Sequence, residues 1–202
     1  VENVPYVCSG IVSYVSTLVK FVEMNKKAEN PIPIVTTNRL NLRPFAMSDV
    51  DTLHRILGDG DILQYFPNPE VPSKTRVKSI IEKQLDHWDK HGFGWWAVEP
   101  LNWHEMIGWS GLRYLDETDE VEVAYLLGRN YWRQGLATEA ARASLNFGFT
   151  DIKLEMIIAI VHPENRASRR VLEKLGMGNA KHRNYFDMDC IRYSITKKNF
   201  SK

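Results

Sequence analysis

The chain is poor in the features that mark most specialised proteins. It has two cysteines, Cys8 and Cys190, among 202 residues. Two such cysteines make neither a metal-ligand spacing nor a framework of bridges, which fits a reducing compartment. Charge of one sign is also lacking: 26 Lys and Arg stand against 25 Asp and Glu, a formal net charge of +1. No global field draws the chain to nucleic acid or an anionic membrane, and only a local basic patch is left open. Neither an internal repeat nor a low-complexity tract is visible. Long apolar runs are missing too. Val4 to Val19 carries no charge, but it is shorter than the roughly 20 apolar residues of a membrane span and contains Pro5, Ser9, Gly10, Ser13, Ser16 and Thr17. A secretory signal needs a positive start, and the only early charge is Glu2. What is left is an ordinary composition, 44% hydrophobic and 25% charged, of a size for one domain with a single core and a terminal extension.

Residues 1–36 read as that extension and a linker. Ile11, Val15, Leu18 and Val22 fall at helical spacing, giving an amphipathic helix that lies on the domain or on a partner. Ala28 to Thr37, with Pro31 and Pro33, reads as extended. The sequence opens on Val1, whereas Met24-Asn25-Lys26-Lys27 resembles an ordinary cytoplasmic start. Residues 1–23 are therefore expected outside the main domain, and a non-native origin for them is one reading.

Residues 37–202 read as one domain. Arg39 to Phe45 alternates as a strand, and Ser48 and Asp49 offer caps for a helix through Leu53, Ile56 and Leu57. Gly58-Asp59-Gly60 breaks that helix, and Tyr65 to Pro69 forms a loop. Ser73 caps a second helix carrying Val77, Ile80, Ile81 and Leu85 inward. Strands follow at Phe93 to Val98, Ile107 to Tyr114 and Glu120 to Leu127, then a helix to about Phe149. A strand at Met156 to Val161 precedes a helix from about Asn165 to Leu175, with Gly176 as its left-handed end. Two closing strands, near His182 to Phe186 and Ile191 to Thr196, turn around Asp187 to Asp189. The order predicts an α+β fold with a mixed, mostly antiparallel twisted sheet flanked by helices.

The stretch Tyr125 to Ala141 organises the rest. There an apolar strand runs through a turn carrying Gly135 straight into a helix. The first amides of that helix lack intrahelical partners and share the positive end of its dipole, a site suited to a pyrophosphate. Gly135 lets the main chain approach a ligand and Ala137 avoids crowding it. The plainer account is that a Gly between a strand and a helix is a loop residue.

The run Trp132-Arg133-Gln134-Gly135-Leu136-Ala137-Thr138 resembles the Gln/Arg-x-x-Gly-x-Gly/Ala acetyl-CoA loop of the GNAT N-acetyltransferases. Trp132 departs from the Gln or Arg usual at the first position, but Tyr-Trp-x-x-Gly-x-Ala-Thr-Glu-Ala is similar to the RimJ/RimL branch, the ribosomal-protein N-terminal acetyltransferases and their relatives. Contacts to the anion would then come from main-chain amides. A second run, His162-Pro163-Glu164-Asn165-Arg166-Ala167-Ser168-Arg169-Arg170-Val171-Leu172-Glu173-Lys174-Leu175-Gly176, reads from its residues as a capped amphipathic helix. Asn165 caps it, Ala167, Val171, Leu172 and Leu175 pack inward, and Ser168 is left unexplained. This run resembles the Pro-x-Asn-x-Ala-Ser segment of the same enzymes, whose Asn contacts pantetheine and whose Ser lies near the CoA sulfur. The order of elements matches the GNAT fold from about Thr37 to Lys197.

Transfer of acetyl from a thioester to an amine requires a neutral amine, donors for the carbonyl oxygen and a departing thiolate. Neutralising a lysine costs roughly 4–5 kcal/mol near neutral pH, whereas an α-amine costs only about 1.4. The resemblance points to Glu122, aligned with the acidic residue of Ala-Glu-Ile-Gly-Tyr, as the base, and to Ser168 as the group serving the thiolate. As plain residues they would be a solvated strand carboxylate sharing a face with Glu120, and a helix-start serine. A backbone N–H near Leu127 would meet the carbonyl oxygen, where two strands splay apart. Arg133 and Gln134 are candidates for the phosphates, Asn165 for pantetheine, and Arg169 or Arg170 for the 3′-phosphate; a solvated face explains the arginines equally. Tyr65, Phe66, Trp95, Trp109 and Tyr125 are candidate walls of an acceptor cleft, or core. His87 and His91 sit i, i+4 without a third ligand, so no metal is expected.

The resemblance thus implies a cytoplasmic N-acetyltransferase, monomer or homodimer, using acetyl-CoA as co-substrate without metal or covalent intermediate. Its acceptor is expected to be a peptide or protein N-terminal α-amine. A small polyamine or aminoglycoside-like amine, served by Asp59, Asp61 and Glu70, is the alternative, as is a CoA-binding sensor without turnover.

Overall fold

The computed structural model describes residues 31–115 and 118–200; the expected N-terminal helix lies outside them. In chain order come β1 (Val35–Thr36), β2 (Leu40–Arg43), α1 (Val50–Leu57), α2 (Lys74–His91), β3 (Trp95–Pro100), β4 (Gly108–Tyr114) and β5 (Val121–Leu127). Then follow α3 (Leu136–Thr150), β6 (Met156–Val161), α4 (Arg166–Lys174), β7 (Gly178–Tyr185), β8 (Met188–Thr196) and α5 (Lys197–Phe200). One sheet runs β1-β2-β3-β4-β5-β6-β8-β7, antiparallel at every pairing except the parallel β5–β6. The expected α+β class and mixed, mostly antiparallel sheet are what the chain forms.

Strand alternation divides the sheet's two faces. Trp95, Ala97, Trp109, Ala124 and Leu126 point to one face, where Leu53, Ile56 and Leu57 of α1 and Val77 and Ile81 of α2 cover them. The other face takes α3. Leu136, Ala140, Ser144 and Gly148, each four residues after the last, are all buried and form a low ridge along that helix. Ser110 and Ser144 hydroxyls meet at 3.0 Å. A Cβ on Gly148 would lie 2.7 Å from the side chains of Ile157 and Leu112. Small residues bring α3 down onto the sheet and so fix where its first turn sits.

The helix ends follow local chemistry. Ser73 Oγ accepts from the Arg76 N–H at 3.2 Å, and α2 closes on Gly92 with φ 71°. Asn165 caps α4 through the Ser168 N–H at 3.0 Å, and Gly176 follows at φ 80°. Ala167 is exposed, contrary to expectation: α4 buries Leu172, and Leu175 beyond it, so its apolar contact with the body is made by its last turn. Asp49 does not cap α1 either. Its carboxylate accepts from the Ala46 N–H at 2.7 Å and takes a two-pronged bond from Arg43, whose Nε also reaches Glu99 at 2.9 Å.

Three elements differ from expectation. Val35–Thr36 pairs with β2, so the sheet begins inside the stretch read as linker. The closing hairpin is longer, and its turn is Phe186-Asp187, both left-handed (φ 54° and 59°), two residues before the expected centre. A Phe gives no turn signal, and Gly178–Tyr185 has no apolar alternation because it is an edge strand exposed along nearly its whole length. The short α5 also has no counterpart in the expected order.

Candidate active site

β5 and β6 register at Glu122 and Ile158 alone, so the strands diverge beyond that point and leave a gap toward Leu127. The Gly128 N–H donates to the Ile107 carbonyl at 2.8 Å, which makes that pair a hydrogen-bonded rung of the β4–β5 ladder. Its neighbour Leu127, opposite Gly108, therefore turns its own N–H and C=O toward the gap. The carbonyl is taken by Trp132 Nε1 at 2.6 Å. Trp132, the departure from the usual motif, thus ties the loop back to the strand, with the Arg129 guanidinium 5.7 Å from its ring.

The loop Trp132 to Gly135 is exposed throughout. Arg133 (φ 62°) and Gly135 (φ 77°) are both left-handed, and Gly135 offers α3 no side-chain cap. The amides of Leu136, Ala137 and Thr138 thus head a 15-residue helix without a capping side chain. The donor set and its exposure fit a diphosphate. Gln134 does not add its side chain to that set: its Nε2 donates to the Asn130 carbonyl at 2.8 Å.

A latch that no local pattern announced holds this loop. Arg39 donates from Nη1 to the Gln134 carbonyl (2.9 Å) and from Nε to Glu139 (2.7 Å), and its backbone N–H bonds Glu139 as well (2.8 Å). The Thr37 hydroxyl donates to the same carboxylate at 2.7 Å. Burial alone would lift the Glu139 carboxyl, but these hydrogen bonds outweigh it and hold it below its ordinary pKa. The partners are about 100 residues apart in sequence, which is why only the fold reveals them.

Across the gap, Ser168 Oγ lies 2.9 Å from the Tyr125 hydroxyl, which also donates to the Ser168 carbonyl at 3.2 Å. Burial raises the Tyr125 pKa and keeps it a neutral phenol. Tyr125 pairs across the ladder with Ser110 and so belongs to the face of α3. It does not wall a cleft with Trp95 and Trp109, as expected; it braces Ser168. Asn165 Oδ1 caps α4. Arg169 also departs from expectation. It donates to the Tyr193 hydroxyl and the Pro163 carbonyl, both at 3.2 Å, and the Tyr193 bond raises its pKa. Arg170 is the exposed one of the pair.

On the opposite face of β5, Glu122 is only 5% exposed, so it is no solvated strand carboxylate. Arg113, its cross-strand partner, donates from Nε at 2.5 Å. Glu120 lies just before the strand and accepts from the Tyr185 hydroxyl (3.2 Å) and from Arg192 Nε (3.0 Å). Burial works against ionisation there too, yet the Arg192 bond prevails and the Glu120 pKa is lowered. Trp95 and Trp109 stack at 3.9 Å and 11°. Gly111 and Ala124 lie opposite each other in the register, between the Trp109–Leu126 and Arg113–Glu122 pairs, and the Gly94–Trp95 backbone packs directly onto Gly111. A Cβ on Gly111 would fall 2.2 Å from the Gly94 carbonyl oxygen. The Trp95 indole N–H is buried there with no hydrogen-bond acceptor.

Tyr65 stacks on His162 at 5.2 Å, which brings the α1–α2 loop to the end of β6, while Phe66 is exposed. His87 uses both ring nitrogens within the protein. Its Nδ1 bonds the Phe93 carbonyl at 2.7 Å, its Nε2 accepts from the Tyr114 N–H at 3.3 Å, and burial lowers its pKa. Asp61 and Glu70 are exposed, and Asp59 lines a small cavity with Arg55 and Arg129. No helix of the described residues is long and apolar enough to cross a membrane.

Residues 39–178 match the family model of the acetyltransferase (GNAT) domain. An uncharacterized N-acetyltransferase, p20, from Bacillus licheniformis is 30% identical, over 69% of this chain and 79% of its own. A spermidine N(1)-acetyltransferase from Escherichia coli (strain K12) is 23% identical, over 70% of this chain and 74% of its own. The crystal structure of a ribosomal-protein-S5-alanine acetyltransferase from Vibrio fischeri superposes with a TM-score of 0.68. It covers 83% of this chain and 98% of its own at 19% identity, a likeness of fold.

Proposed function

The chain belongs to the GNAT acetyltransferase family, and from that we propose that it acetylates the α-amine of a peptide or protein N-terminus with acetyl-CoA as donor, in the manner of the RimJ/RimL branch. The amides of Leu136, Ala137 and Thr138 hold the diphosphate, and the gap between β5 and β6 takes the pantetheine arm beside Asn165. Glu122 and Ser168 lie on opposite sides of β5. The acceptor comes from the Glu122 side and the donor's sulfur lies on the Ser168 side.

The donor supplies a thioester carbonyl. The amine nitrogen uses its lone pair to form the C–N bond, and the Leu127 N–H faces the oxygen that gains charge. Glu122, about 16 Å from Leu127 along β5 at about 3.3 Å per residue, accepts through a chain of waters the proton the amine gives up. As the C–S bond breaks, the thiolate carries off the pair and is met by the Ser168 hydroxyl, itself held by Tyr125. One ammonium and one thioester yield one amide, one thiol and one proton.

The choice of acceptor rests on charge. Among the described residues, Glu120 and Glu122 carry their own arginines, Arg192 and Arg113, which favours an acceptor of low charge over a polycation. The spermidine relative keeps the polyamine as the second reading. Thiol release from acetyl-CoA with a peptide panel and spermidine, in wild type and Glu122→Gln, decides. Turnover on peptides that falls by two orders of magnitude in the variant is expected. Turnover on spermidine alone overturns the acceptor, and coenzyme A binding without turnover favours a sensor.

A further inference from the structure

We propose that Arg113 is a positioning residue that keeps the Glu122 carboxylate ionised and aimed across the acceptor face, a role that rests on Glu122 being the base. Glu122 is almost fully buried, with Ala124 next on its face and Ile158 beside it on β6. A carboxylate in such surroundings takes up a proton unless a cation stays beside it. Arg113 is that cation, directly opposite in the ladder with Nε 2.5 Å away.

The guanidinium is itself fixed from two elements. Its Cζ lies 5.3 Å from the Trp95 ring centroid and 6.0 Å from that of Phe186. Trp95 is held by its stack on Trp109 and by Trp88, whose Nε1 donates to the Trp95 carbonyl at 3.0 Å. Phe186 sits at the β7–β8 turn, beside Tyr185, which donates to Glu120. The closing hairpin therefore reaches the acceptor face through an arginine that touches the base. A planar guanidinium can lie between two rings while hydrogen-bonding a carboxylate at its edge, and an ammonium cannot do both. Among the described residues, the other charged or titratable groups on this side include Glu120 with Arg192 and Tyr185, and the Cys190 thiol on β8, which burial foremost and then the charges of Asp189 and Glu122 push up in pKa.

The test is the pH profile of kcat/KM on a peptide acceptor for wild type, Arg113→Gln, Arg113→Lys and Glu122→Gln, with melting curves to establish folding. Arg113→Gln should move the acid limb upward by about one pH unit or more, so that activity falls about tenfold at a pH on that limb and recovers as the pH rises above it. Arg113→Lys, keeping a charge, should leave the limb near its wild-type place while kcat drops because the ring contacts are lost. The KM for acetyl-CoA should stay unchanged in both. An unmoved limb in a folded Arg113→Gln, with Glu122→Gln inactive, overturns the role of Arg113 alone. Should Arg113→Gln fail to fold, a displaced limb in Arg113→Lys overturns it. Full activity in Glu122→Gln removes the base and, with it, this proposal.

Discussion

At the residue scale, the indole N–H of Trp95 is buried without an acceptor, and such a group costs about 1–3 kcal/mol of desolvation. Replacing Trp95 by Phe keeps the stack on Trp109 and deletes only that N–H. Trp95→Phe should therefore melt no lower than wild type, as thermal denaturation would read. A clearly lowered melting temperature would mean that the N–H contributes a hydrogen bond after all. Much at this scale could be read in the sequence: Gly135, Asn165 and Ser168 lie in runs that resemble the acetyl-CoA segments of the GNAT enzymes. Arg113 could not, because its partner Glu122 is nine residues away and faces it only once the β4–β5 register is set. Tyr125 and Trp95 look alike as strand aromatics, and only strand parity sends one to Ser168 and the other to Trp109.

At the element scale, α3 is the part on which the site depends. Its ridge of small residues sets its depth, and its first turn carries the amides. Gly148→Val would press on Leu112 and Ile157 and should destabilise the fold by roughly 1–3 kcal/mol, lowering the denaturation midpoint. The latch from β2 gives a second check. Glu139 and Glu120 both have folded pKa values below their unfolded ones, so their contribution is present above the ordinary carboxylate range and is lost as pH falls through the folded values. Wild type should melt progressively lower as pH drops below about 4.5, and the slope should flatten in Glu139→Gln. An unchanged slope would mean the latch is not coupled to folding. Helices and central strands were legible because periodicity and caps are local. The edge strand β7 and the Phe186-Asp187 turn were not, because exposure on both faces erases the alternation that marks a strand.

At the scale of the whole molecule, the sheet order puts the one parallel pairing between an antiparallel block of five strands and another of three. Antiparallel ladders hold β4 to β5 and β6 to β8, so the divergence is confined to the β5–β6 junction. That junction opens toward the uncapped head of α3, and a strand parity argument places Leu127 at its edge. The division of labour follows: one face of β5 presents a carboxylate with its arginine, the other a serine with its tyrosine. The order of the helices and central strands was readable in the sequence and carried the fold class, though β1, α5 and the extent of β7 were not. What it could not carry were the long-range ties, Arg39 to Glu139 and Arg192 to Glu120, which exist only between segments the fold brings together.

The central claim is that main-chain amides at the start of α3 grip the diphosphate of acetyl-CoA. Calorimetric titration of the full-length chain with coenzyme A, beside Gly135→Val, tests it most directly. A β-branched residue at φ 77° is strained and crowds the loop, so the account predicts one-to-one binding by wild type that weakens at least tenfold in a variant that still folds. Absence of binding by the folded wild-type chain, or equal affinity in the two proteins, would contradict it.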